Sequence, residues 1–332
     1  MPRRITMRFE LDSSSSGGPM PHGPIFQNQY HPQFSGHETF PLRYGWLKKA
    51  YDAVAASENM SEKRSVFLAD DAIARFGVGK NMVTSIRHWA TAIGIIDDHP
   101  SLHTTELGRK LFGPGGIDPY MEHPSTLWLL HWRLASYPEK TTWFWVFNYY
   151  TESNFERDQL IKAISKLAAD RGWPRISGAT IKSDVGCFIR TYVPTLSSYE
   201  DILESPLAEL GLIKPTGKRD GFRLVRGPKP SLGDGTFIYA LLDFWARFFG
   251  DAATLSFEAI AHEPGSPGRV FLLDENDVAD RLASLEAVTE GLLQWSETTG
   301  LKQVVRPPDL DFGATFSYLE KDYVKSGLWG VA

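Results

Sequence analysis

A short stretch near the start of the chain concentrates side chains that could take part in hydrolysis of a phosphodiester. His37, Glu38 and Arg43 lie within seven consecutive positions. A histidine can accept a proton from an attacking water, and a glutamate can bind a divalent metal ion such as Mg²⁺ or Mn²⁺, or orient the histidine. We therefore select His37 and Glu38 as candidate catalytic residues and Arg43 as a DNA contact. The alternative is a hydrogen-bond network that only caps the following helix.

A second group of polar residues lies in a helix-turn-helix pattern at residues 72–96. Apolar residues recur at helical spacing on both sides of Gly77 and Gly79, which predicts a short helix, a tight turn and a longer helix. The segment carries three positive charges and no negative ones, although the whole chain has a net charge of -5. The residues predicted on the outer face of the longer helix, where they could contact phosphates and base edges, are Lys80, Asn81, Thr84, Ser85, Arg87 and His88.

The residues after this pattern complete a unit that could present the longer helix to a duplex. Residues 102–104 could form the edge of a β-hairpin, and Thr105 could cap a closing helix. Upstream, a helix is expected with Thr39 as a candidate N-cap and Pro41 in its first turn, ending at about residue 57. Residues 34–118 are therefore predicted to form a winged-helix DNA-binding domain. In the alternative interpretation, these polar residues only form the solvent-exposed surface of a three-helix unit.

Residues 176–250 repeat this plan and are predicted to form a second winged-helix-like unit. Ser177 can cap its first helix, and two short strands are expected around a Gly-Lys-Arg-Asp-Gly turn. Residues 211–229 contain six Lys or Arg against one Asp, a net charge of +5 that favours phosphate contact over a merely solvated loop. The candidate DNA-binding residues of this basic hairpin are Lys214, Lys218, Arg219, Arg223 and Arg226, and Lys229 contributes to its charge.

The remaining segments are assigned from composition. Residues 1–33 are expected to be a disordered N-terminal arm. Residues 119–175 are expected to be a helical linker bundle whose aromatic clusters form core, with a stacking platform for flipped bases as the alternative. Residues 251–332 hold six basic and fourteen acidic residues, so they are predicted to be an acidic α+β module for protein contact or homodimerisation, because DNA would be repelled there. The fold class is mainly α with small β-hairpins, with tandem winged helix-turn-helix units joined by a helical bundle.

Several classes of protein are excluded. The single cysteine, Cys187, rules out an internal disulfide and a thiolate metal cluster, and its apolar neighbours indicate a buried, unreactive thiol. No apolar run reaches the roughly 18 residues of a membrane span, so no membrane partner is expected and the cytoplasm is the predicted location. The GPGG sequence at 113–116 lacks the Lys-Ser/Thr of a phosphate-binding loop, so no nucleotide cofactor is expected.

Three stretches together resemble a family of domains first described as of unknown function, whose members accompany bacterial DNA phosphorothioation gene sets. They are FSGHETFPLRYGWLKKAYD (34–52), DDAIARFGVGKNMVTSIRHWATAIGII (70–96) and GGIDPYMEHPSTLWLLHWRLAS (115–136). The SspB components of single-strand phosphorothioation systems are similar and are credited with nicking DNA. The resemblance implies a nicking endonuclease that binds double-stranded DNA and works with other phosphorothioation proteins, for which a divalent metal would be required if it is catalytic. It assigns no role to individual residues, so a non-catalytic winged-helix scaffold or regulator is the alternative.

Overall fold

The protein is mainly helical and contains three small antiparallel sheets. The computed structural model describes residues 22–58, 66–68, 71–173, 176–194, 205–218, 220–298 and 300–325. Within these residues the helices are α1 (Trp46–Glu58), α2 (Ala72–Phe76), α3 (Lys80–Ile93), α4 (Glu106–Phe112), α5 (Pro124–Ala135), α6 (Thr141–Asn148), α7 (Arg157–Asp170), α8 (Gly178–Tyr192), α9 (Asp234–Phe248), α10 (Phe257–His262), α11 (Pro267–Val270), α12 (Glu275–Ala283), α13 (Leu285–Val288) and α14 (Phe316–Lys325). The strands are β1 (Ile96–Asp97), β2 (His103–Thr104), β3 (Asn154–Glu156), β4 (Ile213–Pro215), β5 (Gly221–Leu224), β6 (Thr254–Ser256), β7 (Gln294–Thr298) and β8 (Leu301–Val305). Over this part of the chain no helix has both the length and the apolar character needed to cross a membrane.

The predicted short helix, turn and longer helix are present as α2 and α3. Gly77 ends α2 in the left-handed region, with φ 66, a conformation that glycine adopts at little cost. The predicted hairpin edge pairs as β1 with β2, and the Thr105 hydroxyl accepts a hydrogen bond from the Gly108 N–H at the start of α4. Helix α1 begins only at Trp46, and Thr39 lies in a left-handed turn instead of capping it, so the predicted start of this helix is wrong.

Two three-stranded sheets are built in the same way. The first has the strand order β3-β5-β4 and the second β6-β8-β7, so in each the second strand of a hairpin is central. Strand β3 runs directly into α7, from Glu156 to Arg157, and strand β6 runs directly into α10, from Ser256 to Phe257. The two predicted strands of the basic hairpin are confirmed as β4 and β5. Strand β3 lies in the segment predicted to be a purely helical linker, so that prediction is wrong at residues 154–156.

One large hydrophobic cluster connects the described part of the chain from Phe34 to Tyr323. Helices α5 and α6 supply much of it, as predicted from their aromatic sequences, and Trp89 of α3 meets Trp143 of α6 edge to face at 5.6 Å between ring centroids. Cys187 is buried and its Sγ donates to the carbonyl of Phe40. Burial raises the pKa of the Cys187 thiol far above its usual value, as expected for an unreactive cysteine.

The end of the predicted N-terminal arm is packed against the helical body. Residues Pro24–Phe26 form a short 3-10 helix, and the Ile25 side chain is completely buried. The Tyr30 hydroxyl lies 2.7 Å from Oγ1 of Thr141 at the start of α6. The prediction of disorder is therefore wrong for residues 22–33. Ile25 packs there with Phe144 and Leu167, a long-range contact that the sequence alone does not reveal. Residues 1–21 lie outside the described residues.

Candidate nucleic-acid interface

The outer face of α3 is open to solvent near the start of the helix. Val83, Ile86 and other apolar residues point into the core, which leaves Lys80, Asn81 and Thr84 exposed. Among the described residues Lys80 has no ion-pair partner. An ammonium, an amide and a hydroxyl grouped on one exposed turn have the chemistry to contact a phosphate and base edges.

Arg87 lies at the edge of this face and forms an ion pair with a carboxylate. Its guanidinium is 2.9 Å from the Asp98 carboxylate, and both side chains are about one-third exposed. An ion pair as exposed as this one contributes only about 0–1 kcal/mol to stability. A DNA phosphate could therefore replace Asp98 as its partner at little cost, although in this structure the charge of Arg87 is neutralised.

The outward orientation predicted for Ser85 of α3 is wrong, and His88 of the same helix is only partly exposed. Ser85 is completely buried, and its hydroxyl has no hydrogen-bond partner in the described residues. The His88 ring packs edge-on against Trp89 and His37. Burial, followed by the charges of Lys140 and His37, lowers the pKa of His88 well below its usual value, so the ring is neutral at pH 7. Ser85 is therefore not positioned to contact DNA, whereas His88 is half-buried and presents a neutral ring.

The basic hairpin exposes four of its predicted DNA-binding residues, Lys214, Lys218, Arg223 and Arg226. Lys214 of β4 and Arg223 of β5 stand directly opposite each other in the sheet. The one acidic residue of the hairpin, Asp220, forms an ion pair with Arg157 of α7 at 3.2 Å, so it does not neutralise the hairpin. Arg219 lies outside the described residues.

The last two cations of the hairpin differ from the rest. Arg226 lies at the surface, but partial burial, with neighbouring Arg269, lowers its pKa. Lys229 is only 5% exposed and its ammonium donates to the carbonyls of Gly227 and Leu272. Burial lowers the pKa of Lys229 to about 8. Lys229 therefore helps to hold the chain together and does not belong to an exposed cationic surface.

The candidate catalytic residues lie in a loop with an unusual backbone. Gly36, Glu38 and Thr39 all have positive φ, at 108, 47 and 67, and residues other than glycine seldom adopt this region. A Cβ at Gly36 would lie 2.5 Å from Nδ1 of His88, so the loop approaches α3 closely. Left-handed residues in succession are often found at functional sites. Glu38 and Thr39 are exposed, whereas His37 points inward.

Both ring nitrogens of His37 are occupied. Nδ1 accepts a hydrogen bond from the Thr39 N–H at 3.0 Å, so the ring hydrogen is on Nε2, which donates to Oδ1 of Asp184 at 2.9 Å. Both side chains are 3% exposed. With no free nitrogen and no access to solvent, His37 cannot accept a proton from a water attacking DNA in this conformation. The geometry matches the alternative raised from the sequence, a network that fixes the loop.

Sequence reasoning missed Asp184 and Lys140, which complete this polar cluster. The second carboxylate oxygen of Asp184 is buried without a hydrogen-bond partner in the described residues. The Lys140 ammonium donates to Oε1 of Gln33 at 2.8 Å, and burial lowers its pKa to about 8 against the opposing effect of Asp184. An Asp between the apolar residues of α8 was the available signal, because an acid is rarely buried without a partner.

Arg43 occupies a partly enclosed position three residues before α1 begins. Its guanidinium lies over the rings of Phe40 and Trp46, at 5.7 and 5.6 Å from the centroids, and its Nε is buried without a hydrogen-bond partner in the described residues. Such stacking positions a guanidinium without neutralising it. A DNA contact by Arg43 remains a prediction.

The donor groups of the described residues do not assemble a metal site. No set of three or more His, Cys, Asp or Glu side chains in this part of the chain is arranged to hold a metal ion. Glu38 is exposed without a second carboxylate in the Gly36–Thr39 loop, and the Asp184 carboxylate already accepts from His37. These described residues therefore do not fit the divalent metal expected of a hydrolytic centre.

Comparison with known proteins gives one family and two solved structures. The family model described as "Protein of unknown function (DUF4007)" matches residues 34–323. A magnesium ion-bound crystal structure of SspB and a second SspB crystal structure are each similar to this chain, with 34% sequence identity and a TM-score of 0.78, over 89% of this chain and 88% of that chain. No curated protein sequence gives a significant match.

Proposed function

The chain belongs to the DUF4007 family, and from that premise we propose that it is a DNA-binding component of a DNA phosphorothioation system that nicks one strand of a duplex. The observation that carries the proposal is the similarity to SspB structures over nearly nine-tenths of both chains. An identity of 34% over that length supports a common fold and a related role. The proposed partners are double-stranded DNA and other phosphorothioation proteins.

Chain topology supports the interpretation of tandem winged helix-turn-helix units. In the first unit, within residues 34–118, α2 and α3 are followed by the β1–β2 pair. In the second, β3, α7 and α8 are followed by the β4–β5 hairpin, whose second strand pairs with β3. We therefore extend the second unit from residues 176–250 to include α7 and β3. The acidic unit at 251–332 repeats the same order, and we assign it to protein contact.

DNA binding by the first unit is proposed to use the exposed side chains of Lys80, Asn81 and Thr84, with Arg87 released from Asp98. The positively charged first turn of α3 carries no acidic residue, so a phosphate approaching the helix N-terminus would also be favoured by the helix dipole. The acidic residues of the third unit would keep the duplex on the first two units.

Strand nicking is supported by the relationship to SspB and not by an assembled catalytic centre. Glu38 is the one candidate catalytic side chain that reaches solvent. We propose that the Glu38 carboxylate takes part in strand nicking at the DNA surface, while the His37–Asp184 pair fixes the conformation of its loop. One of the similar SspB structures is described as magnesium ion-bound, so Mg²⁺ is the first metal to test.

Supercoiled plasmid distinguishes nicking from simple binding in one assay. The purified chain is incubated with plasmid in Mg²⁺, in Mn²⁺ and in chelator, and we expect conversion to open circle without linear product. The Glu38→Gln variant should nick more slowly with unchanged DNA affinity, whereas Glu122→Gln, at another exposed glutamate, should behave like the wild type. Failure to form open circle under every condition would contradict the nicking proposal.

A non-catalytic scaffold is the second candidate function. The observations that favour it are the occupied ring nitrogens of His37 and the lack of a metal-ligand cluster in the described residues. A scaffold predicts tight, salt-dependent binding to the plasmid with no change in its topology in any metal. Nicking by the wild type that is lost in Glu38→Gln would exclude it.

A further inference from the structure

We propose that the exposed face of the β3-β5-β4 sheet binds the sugar-phosphate backbone of DNA through three side chains, Asn154, Arg223 and Lys214, here called the polar row. The inference rests on the proposed DNA binding and identifies which groups of the second unit carry it. It assigns the sheet a phosphate contact that is independent of DNA sequence and separate from the α3 face.

Sheet register places the three side chains side by side. Arg223 of the central strand β5 is opposite Asn154 of β3 on one side and opposite Lys214 of β4 on the other. All three are exposed, whereas the next row, Phe155 with Phe222, is buried. Directly opposed side chains have Cβ atoms about 4.5–5.5 Å apart, so the guanidinium and the ammonium share one small area of surface.

Two acidic residues beside the polar row are engaged elsewhere. Asp220 pairs with Arg157, and the Glu156 side chain caps α7 in a capping box with Gln159. Neither Arg223 nor Lys214 has an ion-pair partner among the described residues. Like charges directly opposite in a sheet are destabilising, and this pair therefore costs the folded state some stability unless an anion lies between them.

The β6-β8-β7 sheet has the same topology but no pair of like charges at the corresponding positions. Its corresponding row is Thr254, Val305 and Gln294, all uncharged. The charges that do face each other in that hairpin, Glu297 and Lys302, have opposite signs and approach to 3.7 Å. Two sheets of equal topology thus differ in charge pattern, which indicates that the topology itself does not require the Lys214–Arg223 pair.

The chemistry of the polar row fits a phosphodiester. An arginine fork can donate two parallel hydrogen bonds to phosphate oxygens, a lysine adds a mobile positive charge, and an asparagine amide donates one more hydrogen bond. Contacts of this kind hold a duplex in register without reading its bases. Lys218, exposed at the turn of the same hairpin, would extend the contact to a neighbouring phosphate.

The test uses full-length protein and a fluorescein-labelled duplex, with affinity measured by anisotropy over a range of salt. Lys214→Glu converts the like-charge pair into an opposite-charge pair, so we expect the melting temperature to stay the same or rise. Affinity should nevertheless fall about tenfold, and the salt slope of log K by about 0.9 for the lost phosphate contact. A merely structural role for Lys214 does not predict a stable protein with weaker binding.

The matched control is Lys302→Glu, which makes the same charge change in the acidic hairpin. It should keep the affinity and the slope and lower the melting temperature, because it places two acids opposite each other. Equal losses of affinity in both variants would overturn the inference as an effect of net charge. Unchanged binding by Lys214→Glu, with weaker binding by Lys80→Ala, would overturn it while leaving the proposed function intact, and no binding by the wild type would overturn both.

Discussion

His131 is held neutral in the core of this protein. Its side chain is completely buried in α5. Because a carbonyl can only accept, Nε2–H donates to the Val270 carbonyl, and Nδ1 then accepts from the Tyr192 hydroxyl, both at 2.8 Å. Burial lowers the pKa of His131 to about 4, since a charged imidazolium there would lose its hydration and one of these hydrogen bonds.

We predict that acid destabilises the protein through His131. The unfolded chain takes up this proton near pH 6.5, whereas the folded chain does so only near pH 4, so stability is complete above about pH 6.5 and falls as the pH decreases towards 4. The expected loss is about 3 kcal/mol. Urea denaturation midpoints measured over this range should depend less on pH in His131→Gln, although His88 will retain part of the dependence. The exposed His99→Gln variant should follow the wild type, and a His131→Gln profile parallel to the wild type would refute the assignment.

Asp322 of helix α14 caps the N-terminus of helix α9. The Asp322 carboxylate accepts from the N–H groups of Gly235 and Thr236, from the Thr236 hydroxyl and from the Ser125 hydroxyl at the start of α5, at 2.7–3.0 Å. Glycine at 233 and 235 is required because a Cβ at either position would overlap Asp322 or the Tyr318 carbonyl. A carboxylate at two helix N-termini satisfies backbone donors that would otherwise be buried without partners.

Removal of this carboxylate should cost more than removal of a surface charge. Asp322→Ala leaves four buried donors without an acceptor, and we expect the free energy of unfolding to fall by about 3–5 kcal/mol. Asp322→Asn keeps one acceptor oxygen and should lose about 1–3 kcal/mol. The comparison is Asp309→Ala at an exposed position, expected to stay within about 0.5 kcal/mol of the wild type in urea denaturation. If Asp322→Ala matched that control, the capping role would be wrong.

Apolar spacing, glycines and capping residues predicted local structure well, whereas contacts between segments distant in sequence could not be predicted from them. Helical spacing and glycines located α2 and α3, and Thr105 and Ser177 cap the helices predicted for them. Helical periodicity could not show that the His88 face meets the Gly36–Thr39 loop, because that contact depends on how distant segments pack. The same limit applies to Asn154, whose place beside Arg223 follows from the pairing of strands far apart in sequence.

The described units share one hydrophobic core instead of being joined through a thin linker. Trp89 of the first unit packs on Trp143 of the central helices, and the Arg133 guanidinium of α5 donates to the Ile93 carbonyl at the end of α3 at 3.0 Å. Helix α5 also meets the third unit, where Trp128 packs edge to face on Phe271 at 5.6 Å between ring centroids. The recognition surface proposed on α3 is thus held by residues outside its own unit.

This continuity predicts one cooperative unfolding transition for the full chain. A fragment of residues 34–118 would expose the faces of Trp89 and Ile93 that α5 and α6 cover, at a cost of about 25 cal/mol for each Å² of apolar surface. We therefore expect it to melt at a lower temperature than the full chain, or to be unfolded, and to bind DNA more weakly for that reason. Calorimetry of the full chain should give a ratio of calorimetric to van't Hoff enthalpy close to one. Two resolved transitions, or a fragment as stable as the full chain, would show that the units fold independently and that α3 needs no support from its neighbours.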